Sequence, residues 1–273
     1  MMRVGRWASG VLGGLLAIAL FAEPARADTA TEIVANAGCP DCNLDRASLR
    51  ELSIEKADFT DARMIEADLK SSTLPDAIFH DARMQRVEME QSTAVGADFT
   101  GARMRDADLE KSVLTGSVFR DTDLRDTDFA NAEIDGADFT KADLRAAFLR
   151  RVRGARVVFV AAKMDRVDLE RASLSGADFS KARLSGADLD RADLSESTLL
   201  KADLRNARLS STDMTGADLR DADLDDALLR RTRFAGADLS TARGLNQDQL
   251  DMACGDAETR LPDGLTIPIC SSE

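Results

Sequence analysis

Tyrosine is absent from this chain, and tryptophan and histidine occur once each. No apolar run is long enough to span a bilayer: the longest, Trp7 to Ala22, has 16 residues against the roughly 20 a spanning helix needs. Each shortage excludes a class of function. With His80 as the only imidazole there is no nucleophile–histidine pair and no His/Cys set at metal-ligand spacing. No glycine-rich loop of the kind that cradles phosphate is present. The sequence therefore implies no enzyme and no cofactor. What it has in excess is acid, 49 Asp and Glu against 36 Lys and Arg, for a formal charge of −13.

What it also has is a repeat. From Leu44 to Leu239 every fifth residue falls on one column of 40 positions, holding 21 Leu, 9 Phe, 6 Met and 2 Ile, with Ala94 and Gly154 as exceptions. Two residues earlier stands a small residue, Ala in 25 of the 40 cases. A helix turns about 100° per residue and a strand about 180°, so a period of five fits neither. It fits a chain that turns repeatedly about an axis, which is a solenoid.

A second period gives the size of one coil. Phe59, Phe79, Phe99, Phe119, Phe139, Phe159 and Phe179 fall at every twentieth position, and so, with gaps, do Gly96, Gly116, Gly136, Gly176, Gly216 and Gly236. That period makes four pentapeptide sides and four corners. The Phe should stack inside one side, and the Gly should line one corner where positive φ is needed. Ten coils at the strand spacing of about 4.8 Å give a rod of about 48 Å.

Ala67-Asp68-Leu69, Ala107-Asp108-Leu109, Ala187-Asp188-Leu189 and Ala217-Asp218-Leu219 carry a motif that resembles the pentapeptide-repeat family. The resemblance covers about 200 of the 273 residues. It implies an all-β fold, a right-handed quadrilateral β-helix, with the column residue and the small residue two before it pointing inward. Small residues alternating with Leu or Phe suit a narrow interior filled without voids. At Ala94 and Gly154, three coils apart on the same side, underpacking is expected.

The ends differ from the rod. Residues 1–27 read as a cleaved signal peptide: Arg3 and Arg6, the apolar run, then Ala25-Arg26-Ala27. Residues 28–41 read as an N-terminal cap, 42–241 as the solenoid and 242–273 as a C-terminal cap, since a solenoid must cover the open edges of its terminal coils. Ile33 and Val34 are expected to cover the first coil. Asn246 and Gln249 are expected to cap a short helix running to about Ala253, with Leu250 and Ala253 seated on the last coil. The expected location is periplasmic or secreted, with no integral membrane segment once the signal is removed.

Export changes how four cysteines read. Cys39 and Cys42 precede the repeats, and Cys254 and Cys270 follow them. Four cysteines allow three pairings; bridged Cα atoms lie within about 7 Å, and opposite ends of a rod of about 48 Å do not. That leaves Cys39–Cys42 and Cys254–Cys270. A redox CxxC would want a βαβ context, and a zinc site would want ligands from the far end.

For partners, the surface offers two candidates. Arg151, Arg171 and Arg191 should stack in one corner column, with Arg150, Arg153 and Arg156 on the same side, as a ridge for an anionic protein or envelope polymer. Glu170 and Asp190 are the expected counter-charges. Ile78, Val118 and Val158 should share a flat face as a candidate homodimer surface. The 17 Asp directly before the column residue read as a habit of the family rather than as a site. The functional expectation is a rigid interaction scaffold of the cell envelope. The family also implies an alternative, an acidic DNA-mimicking rod that binds gyrase. Two points weigh against it. Residues 42–241 hold 39 acidic and 31 basic side chains, so the rod carries −8, about one net charge per 6 Å, against one per about 1.7 Å in DNA. An exported protein is also separated from gyrase. No nucleic acid is expected to bind.

Overall fold

A computed structural model describes residues 30–271; the expected signal peptide lies outside the described residues. Each outward residue just before the column pairs in parallel with its equivalent four pentapeptides on, from Gly38–Asp58 to Asp223–Arg243. One coil is therefore four pentapeptides, and the fold is a right-handed quadrilateral β-helix. Its first face carries Phe59 and its equivalents in successive coils, the second Met64, the third Leu69 and the fourth Leu74, and each edge takes the number of the face before it.

One pentapeptide shows how the backbone is satisfied. Val118 N–H donates back to Ala97 (2.9 Å), Phe119 N–H forward to Asp138 (2.7 Å) and Asp121 N–H forward to Thr140 (3.1 Å). Thr122 N–H closes the corner on Phe119 (3.4 Å). That closure, with positive φ at its third residue, has the character of a type II turn. Positive φ was expected at one glycine-lined edge, but the structure has it at every corner. All 40 positions from Asp41 to Gly236 have φ between 54° and 73°, and 32 of them are not glycine. None of the 40 is Val, Ile or Thr, whose branched Cβ is the least compatible with this region. The glycines of the fourth edge are one solution among several.

The interior is a stack of rings and methyls. Phe59 to Phe179 form six consecutive stacked pairs with centroids 4.7 to 5.2 Å apart. Phe129, from the third face, meets Phe119 and Phe139 edge-on at 5.9 Å. Most buried hydroxyls among the small residues are used, Ser92 excepted: Thr122 donates to Phe99 O (2.9 Å), Thr127 to Met104 O (2.9 Å) and Thr212 to Leu189 O (2.7 Å).

Gly154 is not underpacked, contrary to expectation. A Cβ there would lie 2.6 Å from both Ile134 Cγ1 and Val157 Cγ2. The missing side chain is compensated by the coil before and by a Val where the small column holds Ala in most coils.

The ends close differently. At the N-terminus α1 (Ala30–Ala35) turns into the first coil, and Gly38 and Ile33 are joined by a 3.0 Å hydrogen bond. Gly38, with φ 127°, packs so closely on Asp58 that a Cβ would collide with its backbone. Ile33 is buried, whereas Val34 is exposed. At the C-terminus α2 (Gln247–Leu250) carries the Asn246/Gln249 capping box and stops at Leu250, three residues before the expected end. Leu250 and Ala253 are both buried. The tail then continues the ladder through Arg233–Cys254 and Asp238–Arg260 pairs.

Candidate functional site

The four inward and turn-forming positions leave one backbone group of each pentapeptide unmet. The N–H directly after the column residue has no partner in the coil ladder, and the Asp before the column residue supplies one. Asp58 Oδ1 accepts from Thr60 N–H at 2.9 Å, Asp98 from Thr100 at 2.9 Å and Asp178 from Ser180 at 2.8 Å. A carboxylate two residues upstream is well placed for this Asx-type contact. At three of the slots that hold Arg, an acid one coil earlier does the work instead. Asp45 accepts from Ile65 N–H (3.0 Å), Asp135 from Ala155 (2.9 Å) and Asp190 from Ser210 (2.9 Å). The abundant Asp thus has a backbone role.

That chemistry settles part of the arginine ridge. Arg151, Arg171 and Arg191 do form one column on the third edge, each at positive φ. Arg150 leaves the third face just before that edge, Arg153 lies on the fourth face and Arg156 on the fourth edge, so these three spread around Gly154. Arg150 pairs with Asp168 and Arg153 with Glu133. Glu170 serves both Arg171 (3.5 Å) and Arg191 (3.2 Å). Asp190, the other expected counter-charge, is engaged by Arg208 and Ser210. Among the described residues no carboxylate lies within ion-pair distance of Arg151 or Arg156. At the C-terminal end of this side, Arg231 and Arg233 border a hollow of about 710 Å³ with Met252 and Ile269.

Ile78, Val118 and Val158 lie on the first face, half-buried and two coils apart. Asp98 and Asp138 stand between them, paired with His80 (2.7 Å) and Arg120 (2.6 Å). The larger apolar exposures are elsewhere: Phe148 and Leu228 occupy the third-face slot, and both are about half exposed. They were legible as two bulky residues in a column dominated by Asp.

The cysteines pair as Cys39–Cys42 and Cys254–Cys270, with Cα atoms 5.6 and 4.8 Å apart.

On the third face Asp68, Glu88, Asp108 and Asp128 stack in adjoining coils. Burial pushes the Asp108 carboxyl up to about 6, reinforced by its hydrogen bond to Glu90, while that same bond and Lys70 hold Glu90 low. A carboxyl raised above its unfolded value near 3.9 contributes stability below that value and loses it as pH rises through about 6. Asp108→Asn should therefore raise stability at pH 7.5 and not at pH 4. The full 1.36 kcal/mol per unit is screened at a half-buried site, leaving about 1 kcal/mol. Thermal unfolding at the two pH values checks this; an equal shift at both would contradict it.

The pattern of inward columns, square coils and Asp-satisfied corners is that of a known repeat class, and the family model for pentapeptide repeats matches in eight copies, over residues 42–81, 82–121, 112–151, 155–191, 187–226 and 207–243. The chain belongs to the pentapeptide-repeat family. The break in the match at 152–154 encloses Gly154, the irregular column position. Among solved structures of pentapeptide-repeat proteins, HetL, involved in heterocyst differentiation regulation in the cyanobacterium Nostoc sp., is 28% identical. The match covers 84% of this chain and 94% of that one, with a TM-score of 0.40. QnrB1, a plasmid-mediated fluoroquinolone resistance protein, is 16% identical over 77% of this chain and 92% of its own, with a TM-score of 0.36. A pentapeptide-repeat protein of the Arabidopsis thaliana thylakoid lumen is 30% identical over 40% of this chain and 68% of its own, with a TM-score of 0.20. No curated protein matches the chain.

Proposed function

We propose that this pentapeptide-repeat protein is a non-enzymatic, exported scaffold of the cell envelope that docks an anionic partner along its third edge. The observation that carries the reading is the charge imbalance there. Glu170 is shared by Arg171 and Arg191, and among the described residues Arg151 has no acid within ion-pair distance. In a rod whose net charge is negative, this edge keeps exposed guanidinium groups whose planar forks suit carboxylate or phosphate. The signal-like N-terminus and the paired cysteines at both ends support export.

Two measurements test the reading. A reporter that works only outside the cytoplasm, fused after Glu273, should be active. In cross-linked envelope extracts, the variant carrying Arg151→Gln, Arg153→Gln, Arg171→Gln and Arg191→Gln should lose capture of the partner at least tenfold while keeping its melting temperature, and wild-type capture should weaken with salt. A silent reporter, together with inhibition of gyrase supercoiling by the purified protein, would replace this reading with DNA mimicry. Equal capture by both proteins would return the ridge to plain surface.

A further inference from the structure

The first edge separates its charges along the rod. Reading up its corner column, the residues are Asp41, Asp61, Asp81, Gly101 and Asp121, then Lys141, Ala161, Lys181, Lys201 and Asp221. The acids fill the N-terminal half and the lysines most of the C-terminal half. The second edge handles charge differently: there Glu66 stands between Arg46 and Arg86 and pairs with both. On the first edge, among the described residues, none of Asp41, Asp61, Asp81, Asp121, Lys141, Lys181 or Lys201 has an ion-pair partner. Nearby groups of opposite charge are engaged elsewhere: Asp143 with Arg145, Arg183 with Asp165, and Asp203 with Arg205. All seven edge groups are exposed. Like charges about 5 Å apart on successive coils, Asp61 over Asp81 and Lys181 over Lys201, repel, and no ion pair among the described residues offsets them.

From Asp61 to Lys201 the column is self-complementary when reversed. A two-fold axis between Asp121 and Lys141, perpendicular to the rod, sets Asp121 against Lys141 of a second copy, Asp81 against Lys181 and Asp61 against Lys201. It also sets Gly101 against Ala161, the two small residues of this stretch, where the edges can approach closely. Every contact occurs twice, as an isologous interface requires. Because every coil is four pentapeptides, the register holds from Asp61 to Lys201; one coil further out the same axis sets Asp41 against Asp221, a like-charge contact that ends the complementary stretch. The row just before the edge is compatible: the same axis sets Thr60 against Leu200, Thr100 against Val160 and Arg120 against Thr140. On the other flank Arg83 would meet Arg183, which confines the contact to the edge and its first-face side.

We propose that two copies of this chain associate antiparallel along the first edge, held by these reciprocal Asp–Lys pairs. The third edge lies diagonally opposite, so the dimer leaves both arginine ridges free on its outer sides. The association does not depend on the ridge having a partner.

Sedimentation velocity on the purified full chain tests it. At about 50 mM salt the dimer fraction should rise with protein concentration, and at about 500 mM association should weaken at least tenfold, since the pairs are screened. The variant with Lys141→Asp, Lys181→Asp and Lys201→Asp should be monomeric, and so should the one with Asp61→Lys, Asp81→Lys and Asp121→Lys. Both should keep the wild-type circular dichroism spectrum, because this chain already accommodates Asp and Lys at such corners. Mixed in equal amounts, the two variants should form a heterodimer at least as tight as the wild-type dimer, an outcome that only folded, charge-matched edges give. A wild type that stays monomeric at low salt overturns the proposal, as do single variants that still dimerise, or folded variants that remain apart when mixed.

Discussion

Phe119→Ala should destabilise the rod by about 4 kcal/mol, the middle of the range for truncating a buried aromatic. Phe119 is fully buried. Its ring stacks at 4.7 Å on both Phe99 and Phe139, and Phe129 closes on it edge-first at 5.9 Å. Removing it deletes contacts on three sides. The cavity cannot easily collapse, because the Cα positions around it are fixed by hydrogen bonds to the coils before and after, such as Phe119 N–H to Asp138 and Val118 N–H to Ala97. Phe148→Ala is the matched control: that ring stands 45% exposed in an outward slot, so its loss should cost less than about 1 kcal/mol. Denaturant midpoints of the two variants check the pair of expectations. Similar losses from both would mean that the Phe column is not the continuous internal stack described here.

The square coil was legible because its cause is periodic. An inward ring recurs once per coil, from Phe59 to Phe179, and a one-dimensional sequence displays any period directly. The corners were half legible. Glycine at Gly96 and its equivalents advertised positive φ, but Arg151, Lys181 and Asp121 adopt it too. The cue for those was negative, the lack of Val, Ile and Thr at all 40 corners. The Asp slot was visible as a motif, while its reason was not: the orphan N–H after the column residue emerges only once the ladder is drawn. The compensation at Gly154 was written in Val157, yet reading it requires knowing that the two side chains meet.

The ridge shows where sequence stops. Glu170 and Asp190 are both neighbours of an edge arginine in sequence, and only one serves it. Ion pairs here often run between coils, two positions short of a full turn, as in Arg50–Asp68, Arg150–Asp168 and Arg208–Asp190. An Asp in the slot two residues before such an N–H meets it, whereas behind Arg208 it is Asp190, one coil earlier, that takes both the guanidinium and the Ser210 N–H. That competition is local and three-dimensional. Among the described residues it leaves Arg151 without an acid, which neither neighbour predicts by itself.

Gln249→Ala should cost about 3 kcal/mol and open the C-terminal end of the rod. In a continuing solenoid the carbonyl of Ala227 would accept a backbone N–H from the next coil, but the chain leaves the regular path at Gly244. The buried Gln249 side chain takes over. Its Nε2 donates to Leu224 O (3.1 Å) and Ala227 O (3.0 Å), and its Oε1 accepts from Asn246 N–H (2.9 Å). Leu224 O also receives Ala227 N–H at 3.0 Å, so truncation leaves Ala227 O as the unsatisfied acceptor. A buried group in that state costs about 1–3 kcal/mol, and loss of the Asn246/Gln249 capping box adds about 1 kcal/mol. Gln249→Glu sharpens the test. It keeps size and shape but turns the donor into a carboxylate facing two carbonyl oxygens, so at pH 7 it should be at least as damaging as Ala. Packing alone would make Glu the milder change. Because coils in a solenoid interact chiefly with their neighbours, hydrogen exchange should quicken at Leu229 to Leu239 in both variants while the amides of Phe99 to Phe139 stay protected. Uniform quickening along the rod would instead mean that the end cap governs one all-or-none unit.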